Sequence, residues 1–328
     1  MRRGALLVRI VLVVLAVAAA APMLAQPRER FTLGVLRRDG VILPFAAFDG
    51  DWSMPWPVST KDLELPITLD AVPPKWWGGE LPAVWTLWPS AVGASTVRLT
   101  PKAPLAIVIG HEKRLGVLTD FASSEPPAAP FQLPYPKEGL AVAGNLQVEQ
   151  IAQVSKLSAA WRDLTVAIQE DVEAAENKAI TAVRASTRWV HPIERERRRQ
   201  VGAALEAWYT SALEQPGFGL SYIEAVKRYP PGEEDAGCGL ETFVSGWIHT
   251  NTRQKQPKTD LTAKITYCDR QGASYMLPFG RFRVNNRTHW VFQMSSWGSE
   301  WYAVIEATPG RVRFVAEYFG GGRRSAMF

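Results

Sequence analysis

The sequence predicts a β-rich α+β fold, in which two antiparallel β-modules (sandwich or half-barrel meander) are separated by a helical hairpin. Three observations carry this expectation. Short apolar runs divided by turn residues fill Phe31 to Phe121 and return from Ser221 to Gly320. Between them the apolar residues recur at three- and four-residue steps, which is the helical period. A proline-rich stretch marks the first change of period.

Residues 1–25 read as an export signal. Arg2, Arg3 and Arg9 make a basic start, Ile10 to Ala21 is uninterrupted and apolar, and small residues lead to a cut after Ala25. The apolar run to Ala25 is about 16 residues, short of the roughly 20 that span a bilayer. The expectation is therefore an exported, periplasmic or extracellular protein with no stable membrane span after cleavage. Removing the leader takes three of the 37 basic residues and leaves 34 against 32 acidic ones. So balanced a chain gives no reason to expect a nucleic-acid partner.

The N-terminal β-module, 31–121, begins with runs at Thr32 to Arg37 and Val41 to Phe48 around the turn Arg38-Asp39-Gly40. Further short strands are expected at Ile67 to Leu69, Ala83 to Leu87, Thr96 to Leu99 and Leu105 to Ile109. Residues 122–144 read as a connector, since Pro126, Pro127, Pro130, Pro134 and Pro136 cannot donate ladder hydrogen bonds.

The helical hairpin is placed at 145–215. Leu157, Trp161, Leu164, Ile168, Val172, Ala175, Ala179 and Val183 form one stripe of a helix of about 30 residues. His191-Pro192 interrupts it. A second helix, from Ile193 to Leu213, would carry Val201, Leu205, Trp208 and Ala212 on one face. The C-terminal meander, 221–320, then holds strands at Ser221–Tyr229, Leu240–Thr250, Leu261–Cys268, Ser274–Val284, His289–Ser296, Tyr302–Thr308 and Val312–Phe319. Residues 321–328 form a tail.

One internal similarity is present. Leu43-Pro44-Phe45-Ala46-Ala47-Phe48 parallels Leu277-Pro278-Phe279-Gly280-Arg281-Phe282, and each follows an Arg-x-Gly turn. Proline inside a strand suits an edge or a bulge. Two independent hairpins would give the same pattern.

Cys238 and Cys268 are the two cysteines, and in an oxidising compartment they are expected to form a disulfide. The candidate ligand-binding residues are aromatic. Trp76 and Trp77 follow Pro73-Pro74, and Trp297, Glu300 and Trp301 lie around a turn, where indole rings could stack on sugars and Glu300 could accept hydroxyl hydrogen bonds. Core packing is the competing role for such rings. The run Glu194 to Arg199 could bind an anionic envelope polymer or form a solvated helix face.

No catalytic, cofactor or metal residues are expected. His111, His191, His249 and His289 are scattered, His111-Glu112 lacks the second histidine of a zinc-protease helix, and no phosphate loop or nucleophile elbow is present. Glu233-Glu234-Asp235 lacks the alternating spacing of a calcium loop. The leading expectation is an exported non-enzymatic protein that binds a glycan or envelope polymer. The first alternative is a carboxylate-dependent hydrolase of a polysaccharide or peptidoglycan-like substrate, using Glu300 with Glu306 or Glu241 with Asp269. The second is an assembly protein whose hairpin packs on a protein partner.

Overall fold

A computed structural model describes residues 29–54, 82–90, 93–109, 112–123, 136–230, 239–254, 257–267, 270, 273–296 and 299–322. The leader 1–25, the expected strand at Ile67 to Leu69, most of the connector and the last six residues lie outside that set.

The first sheet begins as the sequence implies, with β1 (Arg30–Leu36) and β2 (Val41–Asp49) paired antiparallel. Gly40 closes the turn between them at φ 79°, a left-handed conformation that glycine adopts without a Cβ clash. Asp39 accepts hydrogen bonds from the Arg37 guanidinium at 2.7 Å and the Val41 N–H at 3.3 Å. Added to these are β3 (Trp52–Ser53), β4 (Trp85–Pro89), β5 (Val97–Leu99), β6 (Pro101–Ile109), β7 (Glu112–Thr119) and β8 (Gly139–Gly144), in the order β5-β4-β8-β1-β2-β7-β6 with β3 on β2.

Strand β8 falls in the segment read as connector, yet it pairs with β1 from Phe31↔Gly144 to Leu36↔Gly139. The two edge strands, β5 and β6, are separated in sequence by Thr100 alone. Its N–H donates to Asp120 Oδ1 at 2.9 Å, and the Asp120 N–H donates to its carbonyl at 3.1 Å. The sheet therefore curls into a near-barrel around Leu36, Ile42, Trp85, Leu87, Leu99, Val117, Ala141 and Ala143.

The expected seven-strand meander divides into two sheets. One, in the order β13-β12-β11-β10-β9, comprises β9 (Ala152–Gln153), β10 (Ala204–Ala212), β11 (Phe218–Arg228), β12 (Leu240–Asn251) and β13 (Lys258–Tyr267). The other runs β14 (Tyr275–Val284), β15 (Arg287–Ser296), β16 (Ser299–Thr308) and β17 (Arg311–Gly322) in sequence order. Asn285 and Asn286 make the β14–β15 turn with φ of 50° and 59°, the paired left-handed geometry that suits the twist of a hairpin.

The helical hairpin takes a different form. The long helix is divided at Ile168 into α1 (Ala159–Ala167) and α2 (Gln169–Ser186), with the Ser158 hydroxyl capping α1 through the Trp161 N–H. The second helix shortens to α3 (Arg195–Gln200), and the residues read as its remainder are β10. Local helix propensity in Ala-Leu-Glu-Ala is overridden by pairing with β11 along Ala204↔Val226 to Ala212↔Gly219 and with β9.

Four layers result. Trp161, Ile168, Val172 and Ala175 of the helices pack on Leu205, Ile223, Ala225, Val244 and Ile248 of the five-stranded sheet. Its opposite face, through Leu220, Tyr222 and Trp247, meets Trp290, Phe292 and Ile305 of the four-stranded sheet. That sheet turns Phe282, Val291, Tyr302 and Val304 onto Phe31, Leu33, Phe45 and Val142 of the near-barrel. A sheet with apolar neighbours on both faces explains the nearly continuous burial of β15 and β16. Each large side chain fully removed from water there contributes roughly 1.5–3 kcal/mol.

The repeated Leu-Pro-Phe segments meet in this core. The β1–β2 register shifts opposite Phe45, and the β14–β15 register shifts at Phe279, so each proline introduces a bulge. Both phenylalanines approach Tyr302, with ring centroids 5.4 Å and 6.5 Å away. Their settings differ, since β2 is interior to its sheet and β14 is an edge.

Candidate functional site

The aromatic residues singled out in the sequence are only partly placed. Trp76, Trp77 and Trp297 lie outside the described residues. Trp301 is 3% exposed on β16, so its ring face is closed to a sugar. Glu300 accepts from Lys137 Nζ and from the Tyr302 hydroxyl, each at 2.7 Å. Burial lowers the Lys137 pKa and the Glu300 carboxylate pulls it back up, which marks a partly enclosed ion pair.

Cys238 and Cys268 also lie outside the described residues. The nearest strand positions, Leu240 and Tyr267, face each other across β12 and β13.

Of the two carboxylate pairs, Glu300 with Glu306 lies wholly among the described residues, and it is not brought together for hydrolysis. Glu300 and Glu306 stand six residues apart on one strand, about 20 Å at an extended rise and well beyond the roughly 5–10 Å that glycoside hydrolysis uses. Glu306 is held by Arg287 at 3.0 Å and Arg313 at 2.6 Å. Burial opposes its charge, but these two partners hold its pKa below the usual carboxylate value. Glu241 is described and binds Arg228 at 3.1 Å, whereas Asp269 is outside the described residues.

Two carboxylates that the sequence reading missed are buried in the five-stranded sheet's interfaces. Glu224 of β11, 3% exposed, accepts from Arg270 at 2.6 Å and from the Met276 N–H at 2.7 Å. Burial raises its pKa against the pull of Arg270. Arg270 continues to Glu206 at 2.6 Å and lies over the Tyr275 ring at 3.6 Å. Burial, then the Glu224 charge, pushes the neighbouring Tyr209 up to about 12.

Glu176 of α2 is completely buried and receives Lys227 Nζ at 2.9 Å, the Thr242 hydroxyl at 2.8 Å and the Tyr229 hydroxyl at 2.5 Å. Arg198 Nε lies 3.8 Å away. The periodicity alone could not mark Glu176, because it sits beside the apolar stripe and looks like a surface glutamate.

This buried network fixes a surface feature above it. Arg198 donates to Asn177 Oδ1 and to the Ile193 carbonyl, each at 2.9 Å, which ties α3 to α2. Arg195 and Arg199 share Glu173 at 3.6 Å and 3.1 Å. From Asn177, α2 runs on to Ser186, roughly 14 Å, and residues 184–188 are exposed. Beyond the helix, Trp189 rests half-buried edge-on to the His191 ring, 5.5 Å between centroids, and Val190 is 65% exposed. The Ile193 N–H donates to His191 Nδ1 at 3.1 Å, and burial, followed by the Arg198 charge, lowers the His191 pKa.

The resulting rim is cationic. Asn177 to Gln200 contains seven Lys and Arg residues against two glutamates. Lys178, Arg184, Arg188 and Arg197 are exposed and have no acidic partner among the described residues. The Glu194 to Arg199 run is thus one part of a basic stretch whose other part, Lys178 to Arg188, is dispersed along the end of α2 and the residues after it.

Of the helical stripe, Trp161, Ile168, Val172 and Ala175 pack internally, while Leu157 is 89% exposed and the neighbouring Val166 76% exposed. Among the described residues no helix is long and apolar enough to cross a membrane, and no group of three or more His, Cys, Asp or Glu is placed to hold a metal ion. Comparison with protein-family models, with curated proteins and with solved structures finds no match for this chain.

Proposed function

We propose that the chain is an exported, non-enzymatic protein that associates with an anionic component of the cell envelope through the rim formed by the end of α2, residues 187–190 and α3. The observation that carries this reading is the concentration in one stretch of exposed arginines without an acidic partner among the described residues, together with Trp189, on a rim fastened from below by Arg198. Guanidinium groups offer several donors in a fixed fork, which suits phosphate and carboxylate oxygens. The carboxylates Glu176, Glu224, Glu300 and Glu306 each have a cation within hydrogen-bond distance, and such bonding supports structural rather than acid–base roles for them.

The test is a titration of the processed protein with envelope fragments, followed by tryptophan fluorescence, with mass spectrometry of the same samples. Saturable, salt-sensitive binding without new products supports the reading. New products make the protein an enzyme and overturn it.

Export further implies that Cys238 and Cys268 are joined. Protein denatured without reductant should then show no free thiol, and two titratable thiols would remove the disulfide.

A further inference from the structure

We propose that the partner of this rim is a phospholipid bilayer carrying anionic head groups. The inference rests on the reading of the rim as the binding surface and names what it binds.

Charge gives the sign of the partner. Of the seven basic residues between Asn177 and Gln200, Arg198 is consumed by Asn177 and Glu176, and Arg195 and Arg199 divide one carboxylate between them. Lys178, Arg184, Arg188 and Arg197 have no acidic partner among the described residues. The chain apart from its leader is nearly balanced, so the excess is local.

The apolar residues choose between anionic partners. Val190 is 65% exposed and directly follows Trp189, whose ring is steadied against His191. A soluble polyanion has no apolar phase for a valine to enter. A bilayer supplies phosphates at the depth of the arginines and hydrocarbon just beneath, and tryptophan favours the boundary between them. Basic residues near such a surface act additively, each changing affinity by about fivefold at moderate ionic strength.

The experiment uses processed protein in flotation with vesicles of phosphatidylcholine alone and of phosphatidylcholine with phosphatidylglycerol, alongside titration with soluble polyphosphate. Binding is expected to the anionic vesicles only. The triple variant Arg184→Gln, Arg188→Gln, Arg197→Gln should lose about a hundredfold in affinity. Val190→Ser should lose a few-fold with no change in salt dependence. An unchanged urea midpoint in each variant shows that the fold is intact, since all four side chains are exposed.

Vesicle binding that ignores the triple variant overturns the assignment to this rim. Polyphosphate binding without vesicle binding overturns the bilayer as partner and leaves the anionic-envelope reading standing. Failure of both probes, together with failure of the envelope-fragment titration, overturns both.

Discussion

The near-barrel and the helical layer are secured by different physics. Around Leu36, Trp85 and Val117, and again where Phe31 and Phe45 meet Tyr302, the packed groups are almost all carbon. The helices bury a short stripe, chiefly Trp161, Ile168, Val172 and Ala175, and add to it the Glu176 network with Lys227, Tyr229, Thr242 and Arg198. A carbon interface tolerates small slips, because apolar attraction has no preferred direction. A buried carboxylate with several donors accepts one seating only, since any displacement leaves a charge without partners. The helical layer thus gains from polar bonds the definition that its narrow stripe cannot supply.

The strongest way to break this comparison is Glu176→Ala, which leaves Lys227 buried without its partner. A loss of about 3–5 kcal/mol is expected from urea unfolding. The paired change Glu176→Met with Lys227→Met should recover most of it, and failure to do so would show that the donors, rather than charge balance, hold the layer. In the near-barrel, Leu33 is fully buried, and Leu33→Ala should cost about 2–5 kcal/mol through a cavity. That loss should change little between pH 7.5 and pH 5, as Leu33 is packed among apolar side chains and two tyrosines, with His289 stacked on Phe282 at the margin of the cluster.

The smallest expected effect is one of pH. His191 faces Glu176 from α2, Arg198 from α3, Lys227 from β11 and Tyr229 just past its end, and burial with the Arg198 charge lowers its folded pKa. A histidine so lowered contributes stability that is complete above its unfolded value of about 6.5 and is lost as pH falls through the folded value. His289 and His249 are lowered in the same direction, mainly by burial. The urea midpoint should therefore drop between pH 7.5 and 5, and His191→Phe should drop less than the parent. An equal drop in the two proteins would remove His191 from the pH response.

Much of this architecture was legible in the sequence, and the exceptions have physical causes. The C-terminal strands announced themselves because turn residues such as Asn285-Asn286 and Pro309-Gly310 separate them. The division of the meander between β13 and β14 was hidden, since Arg270-Gln271-Gly272 reads locally as one more hairpin turn. Strand β8, Gly139–Gly144, is buried along almost its whole length and shows no alternation to follow. In β10, Leu205, Trp208 and Ala212 happen to fall at helical spacing while the residues pair as a strand. At the candidate site, the Glu194 to Arg199 run was visible, but the seating of α3 on α2 through Asn177 and Glu173 carries no sequence signal.

The pairing of β1 with β8 bears on how the chain comes to be folded at all. The interior strand of the near-barrel is made early, and one of its two neighbours is more than 100 residues away along the chain, from Leu36↔Gly139 outward. Closing so long a loop costs entropy before any contact rewards it, and such topologies fold slowly. Until residue 144 is free to return, β1 has one open edge and the barrel interior has no closed wall. Under the proposed export this delay is useful: the polypeptide stays extended while it threads a translocation channel, and the last strand to arrive completes the barrel on the far side.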